Sequence, residues 1–98
     1  AATSEEVIKS GLKDPVTLIR AQAAIALHNI GHKISAVQFL QTELDQNLSV
    51  TDEAMIINTF MQIREVDAIP KKWFEKWEGK QSGLLRLGTL AEKVRMLR

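Results

Sequence analysis

Apolar residues recur along this chain at the three- and four-residue spacing of one helix face. No stretch alternates between apolar and polar residues for long enough to predict a half-buried strand. The pattern falls into a short and a long helix over residues 1–31, a second such pair over 32–66, and one or two closing helices over 67–98. We therefore expect one all-α domain spanning 1–98, a short α-α superhelix of two helical hairpins with capping helices.

Most of the predicted helices begin at a residue that satisfies free backbone N–H groups or at a proline. Asp14 is the expected cap of the second helix, with Pro15 at its first position, and Gly31 supplies a left-handed stop. Ser35-x-x-Gln38 has the capping-box spacing at the start of the third helix. The predicted ranges are Thr3 or Ser4 to Gly11, Asp14 to Ile30, Ser35 to Gln46, Thr51 to Glu65, Pro70 to Trp77, and a last helix marked by Leu84 to Leu97.

The second helix is the most apolar, and its apolar arc is wider than one face. We expect it to be covered on more than one side, because such an arc is too wide for a helix with one solvated face. The expected inward stripe is Val16, Ile19, Ala23, Ala26, Leu27 and Ile30, with Leu18, Ala21, Ala24 and Ile25 beside it.

A repeat is visible between the two hairpins. Leu27-x-x-Ile30 and Phe60-x-x-Ile63 lie at matching distances from their helix ends, which gives a period of about 33 residues. This period is within the range of helical solenoid repeats.

The residues of the second helix resemble a known repeat. An aspartate at the turn, an aliphatic residue followed by arginine, small residues and a leucine resemble the second-helix signature of HEAT repeats. The resemblance implies a HEAT-like superhelix in which alanines allow close helix approach and the aspartate and arginine bridge neighbouring repeats. The second hairpin keeps only the apolar skeleton. The signature residues are Asp14, Arg20, Ala23, Leu27 and Gly31.

A narrower resemblance covers most of the chain. The order of four short segments is similar to the order in HEAT-like regions at the C-terminus of some bacterial sulfatases. These segments are Lys13-Asp14-Pro15, Ile30-Gly31, Asp67-Ala68-Ile69-Pro70 and Leu90-Ala91-Glu92-Lys93-Val94. In that family an upstream α/β domain catalyses the reaction, through a Cys/Ser-x-Pro-x-Arg motif that matures to formylglycine beside a calcium-type metal site. Neither that motif nor an acidic metal cluster occurs here, so no catalytic residue, metal ligand or cofactor is carried over.

The resemblance implies a non-catalytic accessory segment of a larger protein, which also fits a chain that starts without methionine. Its expected partner is the parent catalytic domain or another protein, in a periplasmic or exported location. A free-standing protein–protein interaction module is the alternative, since concave helical repeats bind proteins.

Weak nucleic-acid binding through the basic C-terminal half is the least favoured function. Residues 1–63 carry four basic and seven acidic side chains, and the rest of the chain carries nine basic and five acidic ones. The net charge is therefore −3 over residues 1–63 and +4 over the remaining residues, which is a small asymmetry. No apolar run approaches the roughly 20 residues that span a bilayer, so no membrane contact is predicted.

Two clusters could carry chemistry. His28 and His32 have the spacing of zinc ligands on one helix face, but Gly31 separates them and no third ligand lies nearby in sequence, so no metal site is predicted. Trp73 and Trp77 are one helical turn apart and are expected to cover the open end of the second hairpin. If the rings are exposed instead, they form the best candidate partner contact, together with Lys72 and Lys76.

Overall fold

The computed structural model of the protein describes residues 4–77 and 87–97. All regular elements within these ranges are helical, which confirms the predicted all-α class. Within the same ranges, no helix is both long and apolar enough to cross a membrane. The elements are α1 (Ser4–Gly11), α2 (Thr17–Asn29), α3 (Lys33–Leu44), α4 (Val50–Gln62), a 3-10 helix (Val66–Ala68), α5 (Lys71–Trp77) and α6 (Leu87–Met96).

Helix α2 is the element around which the first half of the fold is arranged. It packs against α1, α3 and α4, while α3 and α4 also pack against each other. Helix α6 packs on α4 and α5 and so closes the other side of α4. The expectation that α2 is covered on more than one side is confirmed.

The start of α2 differs from the prediction. The Asp14 carboxylate accepts a hydrogen bond from the backbone N–H of Val16 at 2.8 Å. It thereby stabilises the turn before the helix, an Asx-turn arrangement, instead of capping the first helical turn. Helix α2 begins at Thr17, so the predicted cap at Asp14 and the first helical position at Pro15 are wrong.

The other boundaries are mixed in outcome. Gly31 has φ 103°, which confirms the left-handed stop after α2. Helix α3 begins at Lys33, so Ser35 lies inside its first turn and the predicted capping box is wrong. Ser49, at the entry to α4, accepts a hydrogen bond from the Asp52 N–H at 3.1 Å. Arg64, at φ 59°, follows α4 in a left-handed conformation that the sequence did not indicate.

The buried face of α2 is rotated from the predicted stripe. Val16, Ile19 and Ile30 are 51%, 41% and 47% exposed. Small residues line the covered side instead, because short side chains let neighbouring helices approach the α2 backbone closely. The buried residues of α2 are Thr17, Ala21, Ala23, Ala24 and Leu27.

The large apolar side chains are concentrated around α4. Leu40 of α3 and Phe60 of α4 are fully buried, and the C-terminal helices add aromatic residues on the opposite side. The predicted start of the last helix at Leu84 lies outside the described residues, as does Thr3. The main cluster contains Ala21, Ala24, Leu40, Ile56, Ile57, Phe60, Ile63, Ile69, Trp73, Phe74, Trp77, Ala91 and Val94.

We predict that Gly11→Val destabilises the fold through the contact between α1 and α2. A Cβ atom at Gly11 would lie 3.0 Å from the Ala23 Cβ, so a branched side chain forces the two helices apart. Overpacking of this kind costs about 1–3 kcal/mol. Urea denaturation measures the free energy of unfolding, and Ser10→Val, which introduces the same side chain at an exposed position, serves as control. Equal stability of the two variants would contradict the prediction.

Candidate partner-binding surfaces

A polar cluster centred on Arg20 lies where the two hairpins meet. The Arg20 side chain donates to the Glu43 carboxylate through Nε, to the Asp14 carbonyl oxygen at 2.8 Å through Nη1, and to Thr17 Oγ1 at 3.1 Å through Nη2. The Thr17 hydroxyl in turn donates to Asp52 Oδ2 at 3.0 Å. The cluster therefore joins α2 to both helices of the second hairpin.

This geometry refines the role of the signature residues. Arg20 bonds the main-chain carbonyl of Asp14, while its charged partner is Glu43, which lies 23 residues away. The side chains of Arg20 and Glu43 are only 16% and 9% exposed, so the pair is largely shielded from water. A shielded, hydrogen-bonded pair of this kind fixes the position of the helices rather than offering a reactive group.

The other signature residues serve packing. Ala23 lies under Gly11 of α1, and Leu27 is 2% exposed. Gly31 ends α2 and turns the chain into α3. These positions shape the first hairpin and its junction with α3.

Trp73 and Trp77 are buried, at 3% and 8% exposure. The Trp73 ring meets Phe74 edge-to-face, with centroids 5.2 Å apart and an angle of 81° between the planes. Their position in the core fits the expected cover for the second hairpin. The exposed rings that a tryptophan contact site requires are not found at these two positions.

The lysines of the same segment lie at the surface beside acidic residues of the second hairpin. Lys72 forms an ion pair with Asp45, and Lys76 Nζ is 3.7 Å from Glu53 Oε1. Lys76 Nζ also lies 5.0 Å from the centre of the Trp77 ring. Both lysines are therefore engaged with this chain's own residues.

The two histidines are placed differently from each other. His32 is exposed, with Nε2 3.2 Å from Glu5 Oε1, whereas His28 is partly buried on α2. In the part of the chain that the structure describes, no three His, Cys, Asp or Glu side chains are grouped to hold a metal ion.

An exposed aliphatic strip runs along the first hairpin. Val7, Ile19 and Ile30 are 61%, 41% and 47% exposed, and Ala26 is partly exposed between the last two. Ile19, Ala26 and Ile30 fall on one side of α2 by helical periodicity. The contact between Glu5 Oε1 and His32 Nε2 places the first turn of α1 beside the end of α2, so Val7 lies at the same end as Ile30. We call Val7, Ile19, Ala26 and Ile30 the outer strip.

A groove separates α1 from α3, and both helices pack on α2 beneath it. Its volume is about 520 Å³. By helical periodicity, Val7 and Lys9 lie on opposite sides of α1, so α1 separates this groove from the outer strip. The α1–α3 groove is lined by Lys9, Leu12, Lys13, Leu27, Ser35, Gln38, Phe39 and Thr42.

Neither of these two surfaces was predicted from the sequence. Ile19, Ala26 and Ile30 of the outer strip were assigned to the core because they have helical spacing, and the groove joins residues of three helices. Comparison with protein-family models, curated proteins and solved structures found no match to this chain. The HEAT and sulfatase assignments therefore stay predictions.

We predict that Glu43→Gln destabilises the domain by about 3 kcal/mol, because the variant leaves the shielded Arg20 guanidinium without its charged partner. Thermal or urea unfolding followed by circular dichroism measures the change. Glu75→Gln, the same substitution at an exposed position, is the control and should change stability by no more than about 0.5 kcal/mol. A loss at Glu43 no larger than the loss at Glu75 would show that the pair does not hold the hairpins together.

Proposed function

We propose that this chain is a non-catalytic helical accessory domain that docks on the rest of a larger protein through the outer strip. The observation that carries the proposal is the alignment of Ile19, Ala26 and Ile30 on one side of α2, with Val7 at its end. Single exposed aliphatic residues are normal on protein surfaces. Aligned ones form an apolar patch, which is typical of a contact surface.

The free energy gained by burying the outer strip favours docking within one polypeptide. Burying a whole aliphatic side chain contributes about 1.5–3 kcal/mol, so covering the exposed halves of Val7, Ile19 and Ile30 contributes about 3 kcal/mol together. Free association costs at least about 4 kcal/mol in lost translational and rotational freedom. A covalent tether reduces that cost because it raises the effective concentration of the docking surface.

For the parent, we propose a sulfatase-like hydrolase with its catalytic α/β domain upstream. The support for this identity is the ordered resemblance from Lys13-Asp14-Pro15 to Leu90-Ala91-Glu92-Lys93-Val94. The sequence upstream of Ala1 in the natural product tests it. A Cys/Ser-x-Pro-x-Arg motif there supports the proposal, and a different upstream domain overturns the sulfatase identity alone.

A protein–protein interaction module is the second candidate, and the α1–α3 groove is the observation that favours it. Nucleic-acid binding receives less support. Lys76, a basic residue of the C-terminal half, lies beside the largely buried Glu53 carboxylate and is less available to phosphates.

We predict that Ile19→Glu together with Ile30→Glu releases the domain from its parent. A buried, unpaired carboxylate is strongly unfavourable in an apolar contact. Amide hydrogen exchange is measured for α2 in the isolated 98-residue chain, the intact natural product and the variant product. We expect slower exchange in the intact product than in the isolated chain, and a return to the isolated rate in the variant.

Gln62→Glu is the control, because it adds a carboxylate at an exposed position of α4, a helix that contributes no residue to the outer strip. This variant should keep the exchange rates of the intact product. Identical exchange of α2 in the isolated chain and the intact product would overturn docking through the outer strip.

A further inference from the structure

We propose that the α1–α3 groove binds an acidic amphipathic helix of a partner protein. This inference goes beyond docking through the outer strip, which lies on the other side of α1. Neither proposal depends on the other.

The shape of the groove suits one helix. Ser35, Gln38, Phe39 and Thr42 have the spacing of a single face of α3, over about 10 Å or two helical turns. The opposite wall is α1 with the turn that follows it, where the Leu12 N–H still bonds the Ile8 carbonyl at 3.2 Å. Two helical walls offer no backbone edge for an added strand, so a helix seated through its side chains fits better than an extended peptide.

The floor of the groove is apolar and its rim is polar. Leu12 and Phe39 are partly exposed there, above the buried Leu27. Ser35 and Thr42 are exposed along the α3 wall. An amphipathic helix places apolar residues at three- and four-residue spacing into such a floor and keeps its polar side at the rim.

The charge of the groove selects an acidic partner. Its lining contains Lys9 and Lys13 and no acidic residue. Residues 1–63 carry only four basic side chains against seven acidic ones. One of the other two basic side chains, Arg20, is engaged by Glu43. Half of the basic residues in this net-negative part of the chain therefore flank one groove.

Nearby charges strengthen the same preference. The Lys9–Glu5 pair is at the surface, with side chains 59% and 42% exposed, so it holds Lys9 only weakly. The groove also reaches Ser35 in the first turn of α3, where the positive end of the helix dipole favours a carboxylate.

A labelled model peptide tests the proposal with the 98-residue chain. The probe is a fluorescein-labelled amphipathic helix of about 16 residues, with Leu and Phe on one face and Glu on the other. A matched peptide carries Lys at every Glu position. We expect saturable binding of the acidic peptide by fluorescence anisotropy, weakening as salt is raised, and no binding of the basic peptide.

Three variants locate the site. Lys13→Glu reverses a rim charge and should weaken binding about tenfold. Lys71→Glu makes the same charge change on α5, outside the groove, and should leave the Kd within about twofold. Phe39→Ala removes an apolar anchor and should weaken binding at least about tenfold. Circular dichroism verifies that each variant is folded, and Lys13→Glu carries the test should Phe39→Ala unfold.

Three binding results would overturn the proposal. The first is no saturable binding of the acidic peptide up to about 1 mM, which corresponds to very weak affinity. The others are equal binding of the basic peptide and equal effects of Lys13→Glu and Lys71→Glu. Self-association of the chain that Lys13→Glu abolishes would also overturn it, because the occupant would then be a second copy. Ile30→Glu should leave peptide binding unchanged, so failure at the groove and failure at the outer strip are distinguishable.

Discussion

The arginine of α2 is where the two hairpins become one structure. Arg20 is largely shielded, and its three side-chain nitrogens donate to acceptors from the turn before α2, from α2 itself and from α3. Thr17 extends the connection to α4 through Asp52. Because an unpaired charge in this place is costly, the cluster permits one relative position of α2, α3 and α4. The groove between α1 and α3 depends on that position.

Close packing on α2 also explains the protein's surface. Alanines line the covered side of α2 and allow α3 and α4 to approach. The larger Ile19 and Ile30 are left on the outside, where they form the outer strip with Val7 and Ala26. The same arrangement leaves a furrow between α1 and α3, since both helices pack on α2. One helix therefore underlies two separate surfaces, one aliphatic and one basic at its rim.

Local chemistry made part of this structure predictable. Gly31 has the left-handed conformation expected of it, because glycine adopts positive φ without steric cost. Asp14 was expected to cap α2, yet its carboxylate bonds the N–H of Val16 before the helix starts. In both arrangements the Asp14 carboxylate accepts a hydrogen bond from a nearby backbone N–H, so sequence alone does not distinguish them. The Glu43 partner of Arg20 was not predictable, since contacts distant in sequence leave no spacing signal.

The sequence by itself determined the helical class, the approximate helix ranges and the apolar character of α2, because these follow from periodicity and from the conformational limits of single residues. Only the tertiary structure decided which side of α2 is covered. Apolar spacing marks a wide arc on that helix, and the choice within the arc depends on how closely the neighbours approach. Trp73 and Trp77 show the same division, since their spacing predicted a shared face and the packing of α5 decided that this face is buried.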